Sequence, residues 1–144
     1  MKLTASVLPM LLSAPALSAP VSMAADASWT LVAVTRTCNP GDTTCFWQFS
    51  IETGAPGATP CPYTVNATAS APASQANGGP TACGNFTVTS GWSGQFGPGE
   101  GFTTFSVIDR ASKLIAYPAY TDKELVNGTA VSPDRSYPVQ TLPS

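Results

Sequence analysis

The sequence predicts an all-β fold: a single compact β-barrel or sandwich of about six to seven mainly antiparallel strands, with one short helical turn and two disulfides. Three observations support this class. Runs of β-branched and aromatic residues alternate with polar residues, as in strands that have one buried and one exposed face. Fourteen prolines and twelve glycines interrupt these runs and mark turns. The 144 residues are enough for one ordinary domain, and only 10% of them are charged.

The N-terminal residues have the pattern of a secretory leader. Lys2 precedes the apolar run 7–12, and small residues follow that run. We therefore expect residues 1–25 to be a signal peptide that is cleaved between residues 19 and 25. Residues 26–144 would then form one secreted, extracellular all-β domain. The apolar run is too short and too interrupted to span a bilayer, so we expect no membrane insertion.

The first two strands are predicted to form a hairpin. Residues 28–37 are a long β-branched run, and residues 44–52 alternate between apolar and polar side chains. Between them, Asn-Pro-Gly-Asp is a dense turn signal. Cys38 and Cys45 flank this turn and would face each other across the hairpin, within reach of a disulfide.

The second disulfide follows by elimination. After a connection at 53–60, residues 61–65 read as a short strand, and residues 66–82 lack a core pattern and read as a flexible surface loop. Cys61 and Cys83 are the remaining two of four cysteines, and their bond would close this loop. The chain has no CxxC pair and no histidine, so we expect no metal site and no cofactor.

The glycine-rich stretch 90–102, SGWSGQFGPGEGF, is predicted to belong to a long coiled hairpin rather than to a reaction-site loop. Four apolar residues share one face of its first strand: Phe86, Val88, Trp92 and Phe96. Residues 97–100, Gly-Pro-Gly-Glu, fit a type II turn, because proline suits the second position and glycine the third. Residues 102–108 form the return strand.

Three weaker elements complete the expected fold. Residues 113–117 form a further strand, and residues 137–140 add a short one near the C-terminus. Residues 121–128 carry the signals of one or two helical turns, with Thr121 as N-cap, Glu124 three residues later and Gly128 at the end.

The sequence contains three Asn-x-Thr sequons, at Asn66, Asn85 and Asn127. They are acceptors for N-linked glycans where they are exposed on a secreted chain. They are therefore possible glycosylation sites, in agreement with the expected compartment.

The composition argues against catalysis and against nucleic-acid binding. Without histidine the chain lacks the commonest general base, and cysteines paired in disulfides supply no thiolate nucleophile. Glu100 is the best candidate acid in the glycine-rich stretch, but it has no recognisable partner and also suits a turn. The net charge is −2 and basic residues do not cluster, which excludes a nucleic-acid surface. We expect no enzyme activity.

The exposed loops are the natural contact surfaces, since loops carry function on rigid scaffolds. These loops are residues 39–44, 66–82 and 97–101. Four residues are candidate surface contacts: Asp42, Glu100, Tyr117 and Tyr120. The tyrosines lie in an irregular segment and are the better candidates for stacking on a sugar. An extracellular module that binds cell-wall polysaccharide is therefore the alternative function.

Four segments form a recognisable set: Trp29–Pro40, Cys45–Ile51, Ser90–Gly97 and Tyr117–Asp122. Together they resemble the hypersensitive-response-inducing elicitors, small secreted proteins of plant-pathogenic fungi. The resemblance covers residues 28–142, except for residues 66–82, which do not match. It implies an apoplastic, β-barrel-like protein with two disulfides, without enzyme activity or cofactor, that triggers plant defence or cell death and contributes to infection.

The resemblance also implies a partner but no site. The partner would be a plant cell-surface or apoplastic protein, and the chain would act as a monomer. No active-site residue is carried over from the family. Leaf infiltration separates this function from polysaccharide binding, and a storage or cell-surface structural protein would show neither property.

Overall fold

The computed structural model describes residues 27–143, which fold into two antiparallel sheets arranged as a sandwich. The predicted signal peptide lies outside the described residues. The first sheet has the strand order β3-β2-β1-β9, with β1 (Ser28–Cys38), β2 (Thr44–Glu52), β3 (Thr59–Asn66) and β9 (Arg135–Pro138). The second has the order β10-β7-β6-β5-β4, with β4 (Gly78–Cys83), β5 (Phe86–Ser93), β6 (Phe102–Asp109), β7 (Leu114–Ala116) and β10 (Gln140–Thr141); β8 (Ala119–Thr121) also pairs with β6.

The predicted all-β class is confirmed, and the arrangement is a sandwich rather than a closed barrel. The described residues form ten strands instead of six or seven, because several are only two to four residues long. A strand that short has too few residues for an alternating pattern to be visible in sequence. No helix among residues 27–143 has the length and hydrophobicity needed to cross a membrane.

The core lies between the two sheets and is centred on Phe105 of β6. The Phe105 ring makes edge-to-face contacts with Trp47, Phe49 and Tyr63 of the first sheet, with ring centroids 4.9, 5.6 and 5.6 Å away. Aromatic pairs favour this geometry and add to the free energy gained by burying their area. These contacts hold the sheets face to face.

A β-bulge at Ala33 changes which side chains of β1 point into the core. Val32 pairs with Ser50 and Thr35 with Gln48, so β1 has one extra residue, and Ala33 has a φ of 54°. Before the bulge the odd-numbered Trp29 and Leu31 are buried, whereas after it the even-numbered Val34 and Arg36 are buried. An extra residue reverses the alternation of a strand, since side chains repeat every two residues. The bulge thereby places a charged side chain inside.

Both predicted disulfides are formed. The Cys38–Cys45 bond joins residues paired directly across β1 and β2. The Cys61–Cys83 bond joins β3 of the first sheet to β4 of the second. The second bond therefore links neighbouring edges of the two sheets.

The expectation of a flexible loop at 66–82 is wrong. This segment contains an isolated bridge between Thr68 and Ala71, a 3₁₀ turn at Ala73–Gln75 and most of β4. Ala73 and Ala76 are buried. Alanine can fill narrow space under a loop without forming an apolar pattern that is visible in sequence, and the segment is ordered by such packing.

The segment 121–128 forms turns rather than a regular helix: the Glu124 N–H donates to the Thr121 carbonyl oxygen (3.1 Å) and the Leu125 N–H to the Asp122 carbonyl oxygen (3.2 Å). The capping contacts do form, since the Thr121 N–H donates to Glu124 Oε2 (2.8 Å) and the Glu124 N–H donates to Thr121 Oγ1 (3.3 Å). However, the Gly128 N–H donates to the carbonyl oxygen of Arg36 (3.0 Å) instead of to a helical carbonyl. Pairing with β1 thus replaces the second turn, because a short isolated helix has little stability of its own.

Candidate functional site at the β5–β6 end

The glycine-rich stretch forms the end of the β5–β6 hairpin, with the type II turn that was predicted. The Glu100 N–H donates to the Gly97 carbonyl oxygen (3.1 Å), and Gly99 has a φ of 79°. The prediction that Phe96 lies on the buried face of β5 is wrong. β5 ends at Ser93, so Phe96 leaves the buried face and is 67% exposed.

Two other glycines make room for the indole of Trp92. A Cβ atom on Gly101 would lie 2.5 Å from Trp92 Cζ2, and one on Gly94 would lie 2.6 Å from Trp92 Cη2. Both distances are shorter than carbon atoms tolerate. The packing of the Trp92 indole therefore requires residues without a side chain at positions 94 and 101.

Asp122 fixes this end of the hairpin to the first sheet. Its Oδ2 accepts a hydrogen bond from Trp92 Nε1 (2.9 Å), and its Oδ1 pairs with Arg36 Nη1 (3.0 Å). Arg36 is only 8% exposed, and its guanidinium lies 5.6 Å from the Trp47 ring centroid. The carboxylate thus joins β1, β5 and the loop after β8 through charge-assisted hydrogen bonds.

A cavity of about 390 Å³ opens next to this network. We call it the Phe96 cavity, and its lining consists of Phe96, Glu100, Phe102, Ala119, Tyr120, Thr121, Glu124 and Arg135. The Phe96 and Phe102 rings are stacked, with centroids 5.7 Å apart. Two ion pairs border it, Glu100–Lys123 at 2.8 Å and Glu124–Arg135. The cavity therefore combines an aromatic platform with polar groups whose charges are paired.

The structure separates the four predicted surface contacts. Glu100 lines the Phe96 cavity, and Tyr117 is exposed but lies outside it. The expectation that Tyr120 is a surface residue is wrong, since only 1% of it is exposed. It lies under the Arg135 guanidinium, which is 5.2 Å from its ring centroid, and burial raises the pKa of its hydroxyl above the usual value.

Asp42 stabilises the loop around it through its carboxylate. Oδ1 accepts from the Ser74 N–H (2.8 Å) and Oδ2 from the Ser74 hydroxyl (2.5 Å), which ties the β1–β2 turn to the 3₁₀ turn. Asp42 also lies close to Cys38 and Cys45, but these sulfur atoms are bonded to each other and offer no thiolate to a metal.

All three sequon asparagines are exposed on the folded surface. Asn85 lies in the tight turn between β4 and β5, and Asn66 ends β3. Asn127 has a structural contact as well, because its Oδ1 accepts a hydrogen bond from the Cys38 N–H (2.7 Å).

Several residues of the cavity could not be identified from sequence. Glu124 was expected only as a helix-capping residue, and Arg135 lies in a strand that no alternating pattern marks. Both reach the cavity from segments distant from Phe96 along the chain. The one available signal was the aromatic pair flanking the turn, Phe96 and Phe102.

The fold and this site define a small disulfide-linked β-sandwich protein with a surface cavity built from strands β6, β8 and β9 and from the loops next to them. The profile of a family described as Effector TSP1 matches residues 30–142. A curated relative, "Effector TSP1" of Hypocrea virens (strain Gv29-8 / FGSC 10586), is 52% identical over 121 residues, which cover 84% of this chain and 81% of the relative. The chain therefore belongs to the Effector TSP1 family, and the predicted resemblance to fungal effector-like proteins is confirmed.

Proposed function

We propose that the chain is a secreted, non-enzymatic effector that plant tissue senses through its folded surface, with defence or hypersensitive cell death as the response. Membership of the Effector TSP1 family carries this proposal. The leader pattern at residues 1–25 and the two disulfides support secretion, because disulfides persist in oxidising compartments. A contribution to infection is part of the same proposal.

The surroundings of the candidate acids support a non-catalytic mode of action. Glu124 accepts hydrogen bonds from Thr121 and pairs with Arg135, so its oxygens already have structural partners. Glu100 pairs with Lys123 at the surface. Both carboxylates are thus engaged in structural contacts rather than positioned to transfer a proton to a substrate.

The proposed partner is a plant cell-surface or apoplastic protein, bound by the chain as a monomer. The loops that would meet it are held in defined conformations: Asp42 fixes residues 39–44, and the type II turn shapes residues 97–101. A preorganised loop loses little conformational entropy on binding.

The test is infiltration of the purified, disulfide-bonded domain into leaves. We expect an oxidative burst or necrosis without turnover of any added polysaccharide or peptide. The double variant Cys61→Ser/Cys83→Ser is expected to lose about 3 kcal/mol of stability, because this bond closes a span of 22 residues, and to elicit a weaker response.

Two results would contradict the proposal. Native protein that provokes no response would remove the effector function in that plant. Boiled and reduced protein that is as active as native protein would show that a linear segment is sensed, not the folded surface.

N-terminal sequencing of the secreted protein checks the leader, with a start expected between residues 20 and 26.

A further inference from the structure

We infer that the Phe96 cavity binds a neutral polysaccharide of β-linked glucose or N-acetylglucosamine, with Phe96 and Phe102 as its stacking platform. This goes beyond the sensing of the protein by plant tissue, since it concerns a ligand that the protein itself holds. It does not depend on any plant response.

The aromatic pair is the first reason. Phe96 is the most exposed of the large hydrophobic side chains among residues 27–143, at 67%. Phe102 stacks on it at 5.7 Å with an angle of 28° between the ring planes, so Phe102 supports the Phe96 ring from one side, and the high exposure of Phe96 leaves ring surface for a ligand. The pyranose rings of β-linked glucose carry axial C–H groups on both faces, and such faces pack on aromatic rings.

The charges of the cavity are the second reason. Each of its three charged lining residues has an opposite partner: Glu100 pairs with Lys123, and Glu124 pairs with Arg135. No net charge remains for an ionic ligand. Glu100 nevertheless keeps an acceptor free, because only its Oε2 is bound to Lys123. A carboxylate that is paired in charge but still has a free oxygen can accept a hydrogen bond from a hydroxyl group of a neutral sugar.

The shape of the cavity is the third reason. A volume of about 390 Å³ lies within the range of small-ligand sites and suits a few sugar units rather than the broad footprint of a folded protein. One wall is rigid, because Tyr120 is fully packed beneath Arg135 and lies on β8 next to β6. Burial also prevents Tyr120 from stacking on sugar, so the platform is Phe96 and Phe102 instead of the tyrosines.

The experiment titrates the oxidised domain with soluble hexamers of chitin, cellulose and laminarin, followed by isothermal calorimetry and by NMR. We expect one of these glycans to bind with an affinity in the micromolar to millimolar range. Phe96→Ala is expected to weaken binding at least about tenfold, whereas Phe96→Trp retains or strengthens it. Glu100→Gln is expected to weaken binding less, since glutamine keeps an acceptor for a hydroxyl group.

The chain provides matched controls. Phe46 and Tyr117 are also exposed aromatic residues and lie outside the cavity, so Phe46→Ala and Tyr117→Ala are expected to bind like the parent protein. Since Phe96 is mostly exposed, its replacement leaves the domain folded, which circular dichroism verifies.

Three outcomes overturn the inference. The first is no binding of any hexamer at millimolar concentration. The second is equal loss of binding in Phe96→Ala and in Phe46→Ala, which would indicate nonspecific adhesion. The third is binding of a plant apoplastic protein that depends on Phe96, without binding of any glycan. The cavity would then be a protein contact.

Discussion

Replacement of Asp122 by alanine is expected to destabilise the domain strongly, although the residue lies in a surface loop. The carboxylate pairs with Arg36 and accepts from Trp92 Nε1, and the side chains of Arg36 and Asp122 are 10% and 31% exposed. In the variant the guanidinium of Arg36 would remain buried without an opposite charge. The indole N–H would lose its acceptor at the same time.

The expected loss is about 3 kcal/mol of unfolding free energy. Removal of one member of a buried ion pair costs about 3–5 kcal/mol, because the remaining charge stays desolvated. Partial exposure of Asp122 favours the lower end of that range. The lost hydrogen bond to Trp92 belongs to the same network, so its ~1 kcal/mol is not added separately. For a domain of this size, the loss corresponds to a fall in Tm on the order of 10 °C.

The assay is urea unfolding of the oxidised domain, followed by tryptophan fluorescence and circular dichroism. Lys123→Ala is the matched control, since Lys123 is the next residue and its pair with Glu100 is 67% and 53% exposed. An exposed pair contributes less than about 1 kcal/mol. Asp122→Asn is expected to fall between the two variants. If Asp122→Ala were no more destabilising than Lys123→Ala, the argument that Asp122 stabilises the fold by neutralising the buried charge of Arg36 would be refuted.

Two further predictions concern packing and pH. Gly101→Ala is expected to lose about 1–3 kcal/mol of unfolding free energy and to alter tryptophan fluorescence, because the added Cβ displaces Trp92. Gly41→Ala is the control: its added Cβ would meet its nearest atom at 3.8 Å, so its urea unfolding is expected to stay close to that of the parent protein. Equal losses would contradict the packing argument. Burial raises the pKa of Tyr63 and Tyr120, so the unfolded chain releases these protons from about pH 10 while the folded chain retains them; stability then falls by up to about 1.4 kcal/mol per pH unit for each tyrosine. Tyr63→Phe and Tyr120→Phe are each expected to flatten this alkaline slope, and an unchanged slope would rule out the cause.

Local patterns predicted a large part of the fold. Strict alternation identified β2 and β5, and Gly-Pro-Gly-Glu identified the turn at 97–100, because these features depend on residues close together in the chain. The spacing of Cys38 and Cys45 around a turn indicated their bond for the same reason. The segment 121–128 does not continue beyond turn hydrogen bonds, because its capping contacts form locally while the Gly128 N–H pairs with Arg36 of β1.

The sequence by itself determined the all-β class, the first hairpin, the glycine-rich turn and both disulfides. Only the tertiary structure decided that the bulge at Ala33 places Arg36 in the interior and that Asp122 meets it there. The Phe96 cavity likewise depends on Arg135, which arrives from a distant strand. The physical reason is that turns and alternation follow from the conformational preferences of neighbouring residues, whereas a buried ion pair or a cavity forms between segments that only the packing of two sheets brings together.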